Sequence, residues 1–352
     1  MTTTIQEILV QVNKIVSPVY LVGGSVRDEI MGKEICDYDF ATPLPPEVVE
    51  QKIRDVGKRP ILVGKRFGTI MMRIEGYNIE ITSFRSESYE HGNRKPLVDF
   101  VKDISKDLKR RDFTINSIAK RENKYIDLFG GKKDIENKII RAVGNPTIRF
   151  KEDPLRLLRA ARFASQLGFD IEENTLKSMK KNAHHILDVS KERWTQEMDK
   201  LLMGKDVTRG LYYLWDTQLF MYIIPELQLQ HRFDQKSPYH NLFLDDHTKI
   251  VVANVNGLIN RWAALLHDVA KPFCYIEKDV KYSKRNYPKH DLLGSEMVKR
   301  IGKNLKWSNE RIKEVSELVL THLLETNPLR QADYIGKKLE NENGNKTIIK
   351  GN

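Results

Sequence analysis

The chain has 352 residues, 40% hydrophobic and 30% charged, which is enough for two or three domains with their own cores. No apolar run approaches the roughly 20 residues that span a bilayer, and the N-terminus, Met-Thr-Thr-Thr-Ile-Gln-Glu, lacks the basic and apolar regions of a signal peptide. Its two cysteines, Cys36 and Cys274, lie far apart and form no disulfide framework or metal-ligand pattern, as expected of reduced thiols in a cytoplasmic protein. A net charge of +11 favours a polyanionic partner, nucleic acid before membrane.

Residues 3–16 place Ile5, Ile8, Leu9, Val12, Ile15 and Val16 at helical spacing, and Pro18 ends that helix. Residues 20–42 then read as a short apolar strand, a tight Gly23-Gly24 turn, a turn or two of helix, and a second strand carrying Asp37 and Asp39. Side chains alternate across a strand, so these two carboxylates share a face with Tyr38 opposite. Two acids side by side repel unless a cation lies between them, and hard divalent cations favour oxygen ligands. A Gly-Gly turn ahead of a helix offers backbone N–H groups to an anion. Metal-binding acids near a phosphate cradle suggest nucleotide chemistry, whereas a lone pair of such acids more often decorates a solvated hairpin.

A helix over 47–56 follows, with proline in its first turn. Two extended runs, 68–74 and 78–84, meet at Glu75-Gly76-Tyr77 in hairpin fashion. If the second run lies beside the Asp37–Asp39 strand, Glu80 becomes available as a third carboxylate. Residues 85–107, polar and containing Gly92 and Pro96, suggest a mobile loop. A helix is expected over 107–119, packing Leu108, Phe113, Ile115 and Ile118 while Arg110, Arg111 and Asp112 face out. Strands near 125–128 and 139–143 flank the Phe129-Gly130-Gly131 turn. From Thr147 the pattern is helical, which puts a boundary near 142.

Glu152-Asp153-Pro154-Leu155-Arg156 opens that half, with Pro154 suited to a first helical turn and the two acids to its positive end. Arg156, Arg159 and Arg162 recur every three residues as one slowly rotating stripe, fit for a solvated face or for phosphate and base contacts. Further helices fill 192–228. Histidines then concentrate: His231, His240, His247, His267, His290 and His322. His267-Asp268, brought toward His247 and His290, would offer nitrogen and oxygen ligands to a divalent metal. The polar end after Arg330 reads as a frayed or disordered tail.

Residues 20–42 resemble the signature of class II tRNA nucleotidyltransferases and bacterial poly(A) polymerases, in the polymerase-beta-like superfamily. Arg110-Arg-Asp-Phe-Thr-Ile-Asn-Ser resembles their second motif, Glu152-Asp-Pro-Leu-Arg-Leu-Leu-Arg-Ala-Ala-Arg-Phe their nucleotide-selecting motif, and Ser190-Lys-Glu-Arg-Trp-Thr-Gln-Glu their neck motif. His247-Thr, His267-Asp268 and Tyr287-Pro-Lys-His290-Asp resemble HD-domain metal-dependent phosphohydrolases. The resemblance covers about residues 18–325. It implies an α+β fold: a polymerase-beta-like nucleotidyltransferase head with a mixed sheet over 1–142, a helical neck over 143–206, a helical body with an HD-like region over 207–330, and a short tail over 331–352.

The resemblance also implies site roles. Gly24 and Arg27 would hold the incoming triphosphate, and Asp37 and Asp39 would bind magnesium, with Glu80 as the third catalytic acid. Arg111 would contact the triphosphate and Asp112 the ribose. Asp153 and Arg156 would read the Watson–Crick edge of CTP or ATP, with Arg159 and Arg162 supporting that pocket, and the segment 85–96 would help switch specificity from C to A. His247, His267, Asp268 and His290 are the candidate ligands for a second divalent metal. Glu325 matches the final aspartate of that pattern poorly, which suggests a vestigial HD site, and the C-terminal tail is short. The expected activity is CCA addition to the acceptor end of tRNA from CTP and ATP. The sister alternatives are a poly(A) polymerase or a partial CC- or A-adding enzyme. An HD phosphohydrolase carrying the head as an RNA-binding module is an alternative of another class.

Overall fold

The computed structural model describes residues 5–35, 37–62, 64–88, 97–236, 242–279 and 284–342. Cys36, the tip of the 85–107 segment with Gly92 and Pro96, His240 and the last ten residues therefore lie outside the described residues. The chain divides into two compact units, Met1–Asp153 and Pro154–Asn352.

The first unit runs α1 (Ile5–Ile15), β1 (Tyr20–Val22), α2 (Gly23–Ile30), β2 (Asp37–Thr42), α3 (Pro46–Asp55), β3 (Thr69–Ile74), β4 (Tyr77–Ser83), β5 (Arg85–Ser88), β6 (Leu97–Phe100), α4 (Ile104–Lys109), β7 (Ile118–Arg121), β8 (Lys124–Asp127), α5 (Gly131–Glu136) and α6 (Pro146–Glu152). Six strands form one mixed sheet in the order β3-β4-β2-β1-β7-β8, in which β2 and β4 are parallel and the other pairs antiparallel. Glu75 and Gly76 close the β3–β4 hairpin at positive φ, the backbone that a two-residue hairpin turn of this hand requires. Val22, Ala41, Phe84, Leu108 and Ala119 form a buried cluster, and Ile70, Met72, Ile79 and Ile81 are buried along β3 and β4.

The helix expected over 107–119 does not form. Leu108, Phe113, Ile115 and Ile118 are buried as expected, but on different elements: α4 ends at Lys109, Thr114–Asn116 makes one 3-10 turn, and Ile118 starts β7. Aromatic and β-branched residues are weak helix formers, and pairing with β1 and β8 decides the conformation. Asp112 is buried rather than outward, while Arg110 and Arg111 fold back onto Asp107. The 85–107 segment carries a strand pair, β5 with β6, and then α4.

The second unit is helical: α7 (Leu155–Leu167), α8 (Glu173–Asn182), α9 (Lys191–Leu202), α10 (Val207–Asp216), α11 (Phe220–Ile223), α12 (Pro225–Gln228), α13 (Leu244–Ala253), α14 (Leu258–Leu266), α15 (Lys271–Cys274), α16 (His290–Asn304), α17 (Asn309–Leu320) and α18 (Pro328–Glu342). The division falls at Asp153, past the expected 142, because α6 belongs with the first unit. Glu152 consequently ends α6 rather than opening the next helix, and pairs with Arg149 at 2.7 Å. The expected disordered tail is a helix as far as Glu342, anchored by buried Leu329, Ala332 and Asp333. Among the described residues no helix is long and apolar enough to cross a membrane.

Candidate active site and metal centre

In the first unit, Asp37 and Asp39 project from one face of β2, while Tyr38 and Phe40 are buried on the other. The parallel register sets Asp37 opposite Asn78 and Asp39 opposite Glu80, so Glu80 shares their face. Asn78 donates to Asp37 Oδ1 at 3.2 Å. Burial and the neighbouring Glu80 push the Asp39 carboxyl up to about 6, against the pull of Arg111. Glu80 is raised as well, chiefly by burial. This is an acid pair short of positive charge.

Helix α2 opens beside this face. Gly23 has φ +68°, a backbone that L side chains rarely adopt, and its bare Cα lies against Arg111 and Asp39: a Cβ there would be 2.9 Å from Arg111 Nη1 and 3.6 Å from Asp39 Oδ2. Ser25 ties α2 to β2: its hydroxyl donates to the Asp37 carbonyl at 3.1 Å and accepts from the Asp39 N–H at 2.9 Å. Arg27 pairs with Asp28 through two bonds of 2.9 Å and donates to Asn116 Oδ1 at 2.7 Å. Asn116 in turn donates to Asp112 Oδ1 at 3.3 Å, which links Arg27 to Asp112. Arg111 and Arg110 hold Asp107 at 3.1 and 2.7 Å. Burial opposes the charge on Asp107, yet the two guanidiniums outweigh it and keep that carboxyl below its ordinary range. Gly24, Arg27, Asp39 and Arg111 thus gather about the start of α2, and Asp112 is tied to Arg27 through Asn116.

Asp153 caps the end of α6 in extended conformation, and Arg156 lies in the first turn of α7 after Pro154. Of the arginine stripe, Arg156 and Arg162 are buried, so the solvated-face reading does not hold for them. Arg162 pairs with Glu197 of α9 at 3.0 Å and stands over the Phe163 ring at 4.2 Å, bracing α7 on α9. Arg159 stands 5.5 Å from the same ring.

The second unit assembles the histidines. Among the described residues two groups of potential ligands converge within 4.8 Å: His247, His267 and Asp333, and Asp268, His290 and His322. Among the described residues the head carboxylates form no such group of three. Asp268 joins the two groups, with Oδ2 3.0 Å from His267 Nε2 and Oδ1 3.4 Å from His290 Nε2. His267, His290 and His322 each present Nδ1 to a backbone carbonyl, of Ala264, Tyr287 and Val319, at 2.7 to 2.8 Å. A carbonyl only accepts, which assigns the proton to Nδ1 and leaves the Nε2 lone pairs facing inward. His267 Nε2 lies 3.4 Å from His247 Nε2, and His290 Nε2 lies 3.2 Å from His322 Nε2. Burial and His267 push His322 down to about 4, so it is neutral and ready to ligate at pH 7. Inward lone pairs at such distances, with a carboxylate between them, fit divalent cations.

The aspartate that the sequence reading sought near Glu325 is Asp333, with Oδ1 3.2 Å from His247 Nε2. It was hidden in the stretch read as tail, and only the packing of α18 delivers it. Gly336, one turn on, lets that helix close on His247: a Cβ there would lie 3.0 Å from the ring. His322 joins the cluster too, whereas His231 pairs with Asp245 at 2.9 Å. Ser25, Asn116 and Asp107 were also missed. The last two stand in or beside the quoted second motif, so the motif itself carried a signal for them.

Family models describe a Poly A polymerase head domain over residues 19–141, a probable RNA and SrmB-binding site of polymerase A over 168–230, and an HD domain over 243–348. The CCA-adding enzyme of Bacillus pumilus (strain SAFR-032) is 36% identical over 315 residues, 88% of this chain and 74% of that protein. That of Ligilactobacillus salivarius (strain UCC118) is 46% identical over 205 residues, 58% of this chain and 50% of that protein. The chain spans about half the length of several curated relatives it matches. The crystal structure of the Bacillus stearothermophilus CCA-adding enzyme in complex with CTP superposes with a TM-score of 0.63 at 29% identity, covering 96% of this chain and 82% of that one. On the ordered motifs, the mixed-sheet head and this similarity, the chain belongs to the family of CCA-adding enzymes.

Proposed function

We propose that the chain adds C, C and A, one nucleotide at a time, to tRNA 3′ ends from CTP and ATP, releasing diphosphate. The observation that carries this reading is the pair Asp37 and Asp39 on one face of β2, beside the start of α2 with Arg111 against Gly23. A magnesium ion held by Asp37 and Asp39 would align the attacking 3′-hydroxyl and offset the triphosphate charge. The raised Asp39 carboxyl supports the fit, since an acid pair short of positive charge favours a cation. Glu80, opposite Asp39, acts as the third acid. Gly24, Arg27 and Arg111 hold the triphosphate, and Asp112, positioned through Asn116, takes the ribose. Asp153 and Arg156 read the base edge, while Arg159 and Arg162 support that pocket, Arg162 through its pair with Glu197. The surplus of cations suits the tRNA backbone.

Purified chain incubated with tRNA lacking its CCA and labelled CTP or ATP tests this. Incorporation of two C and one A is expected. A long tail from ATP alone would instead identify a poly(A) polymerase, and incorporation of C only or A only a partial enzyme.

A second reading is favoured by the histidine cluster: an HD-type centre in which His247, His267 and Asp333 hold one divalent cation and Asp268, His290 and His322 another. Cations held there would activate water for attack on a phosphoester. Metal analysis of the purified chain tests it, and the absence of bound divalent metal after dialysis against manganese would sink it.

A further inference from the structure

The acid face of the head sheet does not end at Glu80. In the antiparallel register of β3 with β4, Met71 stands opposite Glu80 and Arg73 opposite Asn78, so Arg73 shares the face that carries Asp37 and Asp39. Outside β3 the chain makes one more bridge, in which Ile61 and Met71 exchange both backbone hydrogen bonds, at 2.8 and 3.0 Å. That bridge puts Ile61 on the same face, and two residues back the register brings Arg59 beside Arg73. With Lys58 and Leu62 these side chains line an open pocket of about 590 Å³. Three cations meet there, and among the described residues no acid pairs with any of them.

Like charges gathered around an open pocket favour an anion. Where the pocket lies says which one. Helix α2 leaves the end of β1, so the triphosphate cradle is on the β1 side of β2, whereas β4 and β3 follow on its other side. Phosphoryl transfer sets the attacking and leaving oxygens roughly in line, so the attacking hydroxyl comes from the side away from the departing diphosphate. That side is β4, and the RNA strand behind the hydroxyl runs on toward β3. Adjacent strands are about 4.8 Å apart, which puts β3 about 10 Å from the acids of β2. We infer that the pocket of Lys58, Arg59 and Arg73 seats the RNA strand that ends in the attacking 3′-hydroxyl. The two arginines take backbone phosphates next to that end, and Ile61 and Leu62 offer an apolar floor to a base. The inference rests on the reading of Asp37 and Asp39 as the site of nucleotide addition, and it adds the surface that holds the primer.

The test uses the full chain with magnesium and tRNA lacking its CCA, and measures the KM for tRNA and for CTP separately. Arg59→Gln and Arg73→Gln, both at exposed positions, are each expected to raise the KM for tRNA by about threefold to tenfold, with kcat and the KM for CTP within about twofold. Each should also reduce the slope of log KM against log salt by about 1, the mark of one lost phosphate contact. Arg73→Lys keeps the charge and is expected to recover most of the affinity. A tRNA with neutral methylphosphonates at its last internucleotide linkages locates the contact. It should weaken binding to the wild-type chain by a similar factor and to Arg73→Gln no further. An equal further loss in the variant would overturn the inference, because the arginine would then act away from the 3′ end. An unchanged KM for tRNA in both variants would overturn it too, leaving a solvated basic face, as would a rise in the KM for CTP alone, which would give the pocket to the incoming nucleotide. If the wild-type chain adds nucleotides and the variants match it, the primer surface fails and the function stands. A wild-type chain that adds none removes both.

Discussion

The acid face of β2 and the histidine cluster of the helical unit are both suited to divalent cations, but they are built in opposite ways. The head takes its acids from neighbouring positions on two strands, leaves Asp37 exposed, and tolerates an Asp39 carboxyl near 6. The cluster gathers its ligands from α13, the end of α14, the start of α16, the turn after α17 and α18, and buries nearly all of them. Three of its four imidazoles are oriented by backbone carbonyls before any ion arrives. An open acid face suits a cation that comes and goes with a triphosphate, as magnesium does. A buried imidazole cage suits a cation that stays.

Breaking either region alone separates the two sites, and the largest effect is expected at the head. Asp39→Asn should lower nucleotide addition by about three orders of magnitude or more, measured as labelled CTP incorporation. His267→Gln should leave that rate within about twofold while abolishing manganese retention at the cluster. The reverse pattern would make the helical unit the main catalytic site. Next, Asp333→Asn should weaken manganese binding by about tenfold to a hundredfold in calorimetry, because α18 contributes that carboxylate to the His247 and His267 group. An unchanged affinity would remove α18 from the centre.

The pH response sharpens the contrast further. The folded head holds the Asp39 proton up to about pH 6, whereas an unfolded aspartate releases it near 3.8. The folded state thus binds more protons between these values, and the metal-free protein should lose stability as pH rises through that window. Magnesium must displace the same proton, so the half-saturating magnesium concentration for addition should climb by about tenfold from pH 7 to pH 5. A flat profile would mean that Asp39 is not a ligand. The smallest effect is expected from Ser25→Ala. It removes the hydroxyl between the Asp37 carbonyl and the Asp39 N–H, and should cost about 1 kcal/mol in stability and about tenfold in addition rate.

Much of the head was legible because its signals are local. The alternation of Asp37-Tyr-Asp39, the glycine pair and the β3–β4 hairpin each follow from spacing within a few residues, and the face that they predict is the face observed. Glu80 needed one further step, the parallel pairing of β2 with β4, which no local pattern encodes. The stretch 107–119 was misread because its apolar spacing fits a helix. Hydrogen bonds from β1, distant in sequence, and from the neighbouring β8 pull its last residues into the sheet. Ser25 escaped notice because a lone serine hydroxyl carries no signal until its partners, the Asp37 carbonyl and the Asp39 N–H, are in place.

The sequence by itself determined the two-part architecture, the acid pair, the arginine motifs and the identity of three of the cluster histidines, because periodicity and short motifs act over a few residues. Tertiary structure alone decided that Asp333 and His322 complete the cluster and that Arg162 is braced by Glu197. These are contacts between helices far apart in the chain. Burial sets what each group needs, and only the folded packing shows which residue supplies it.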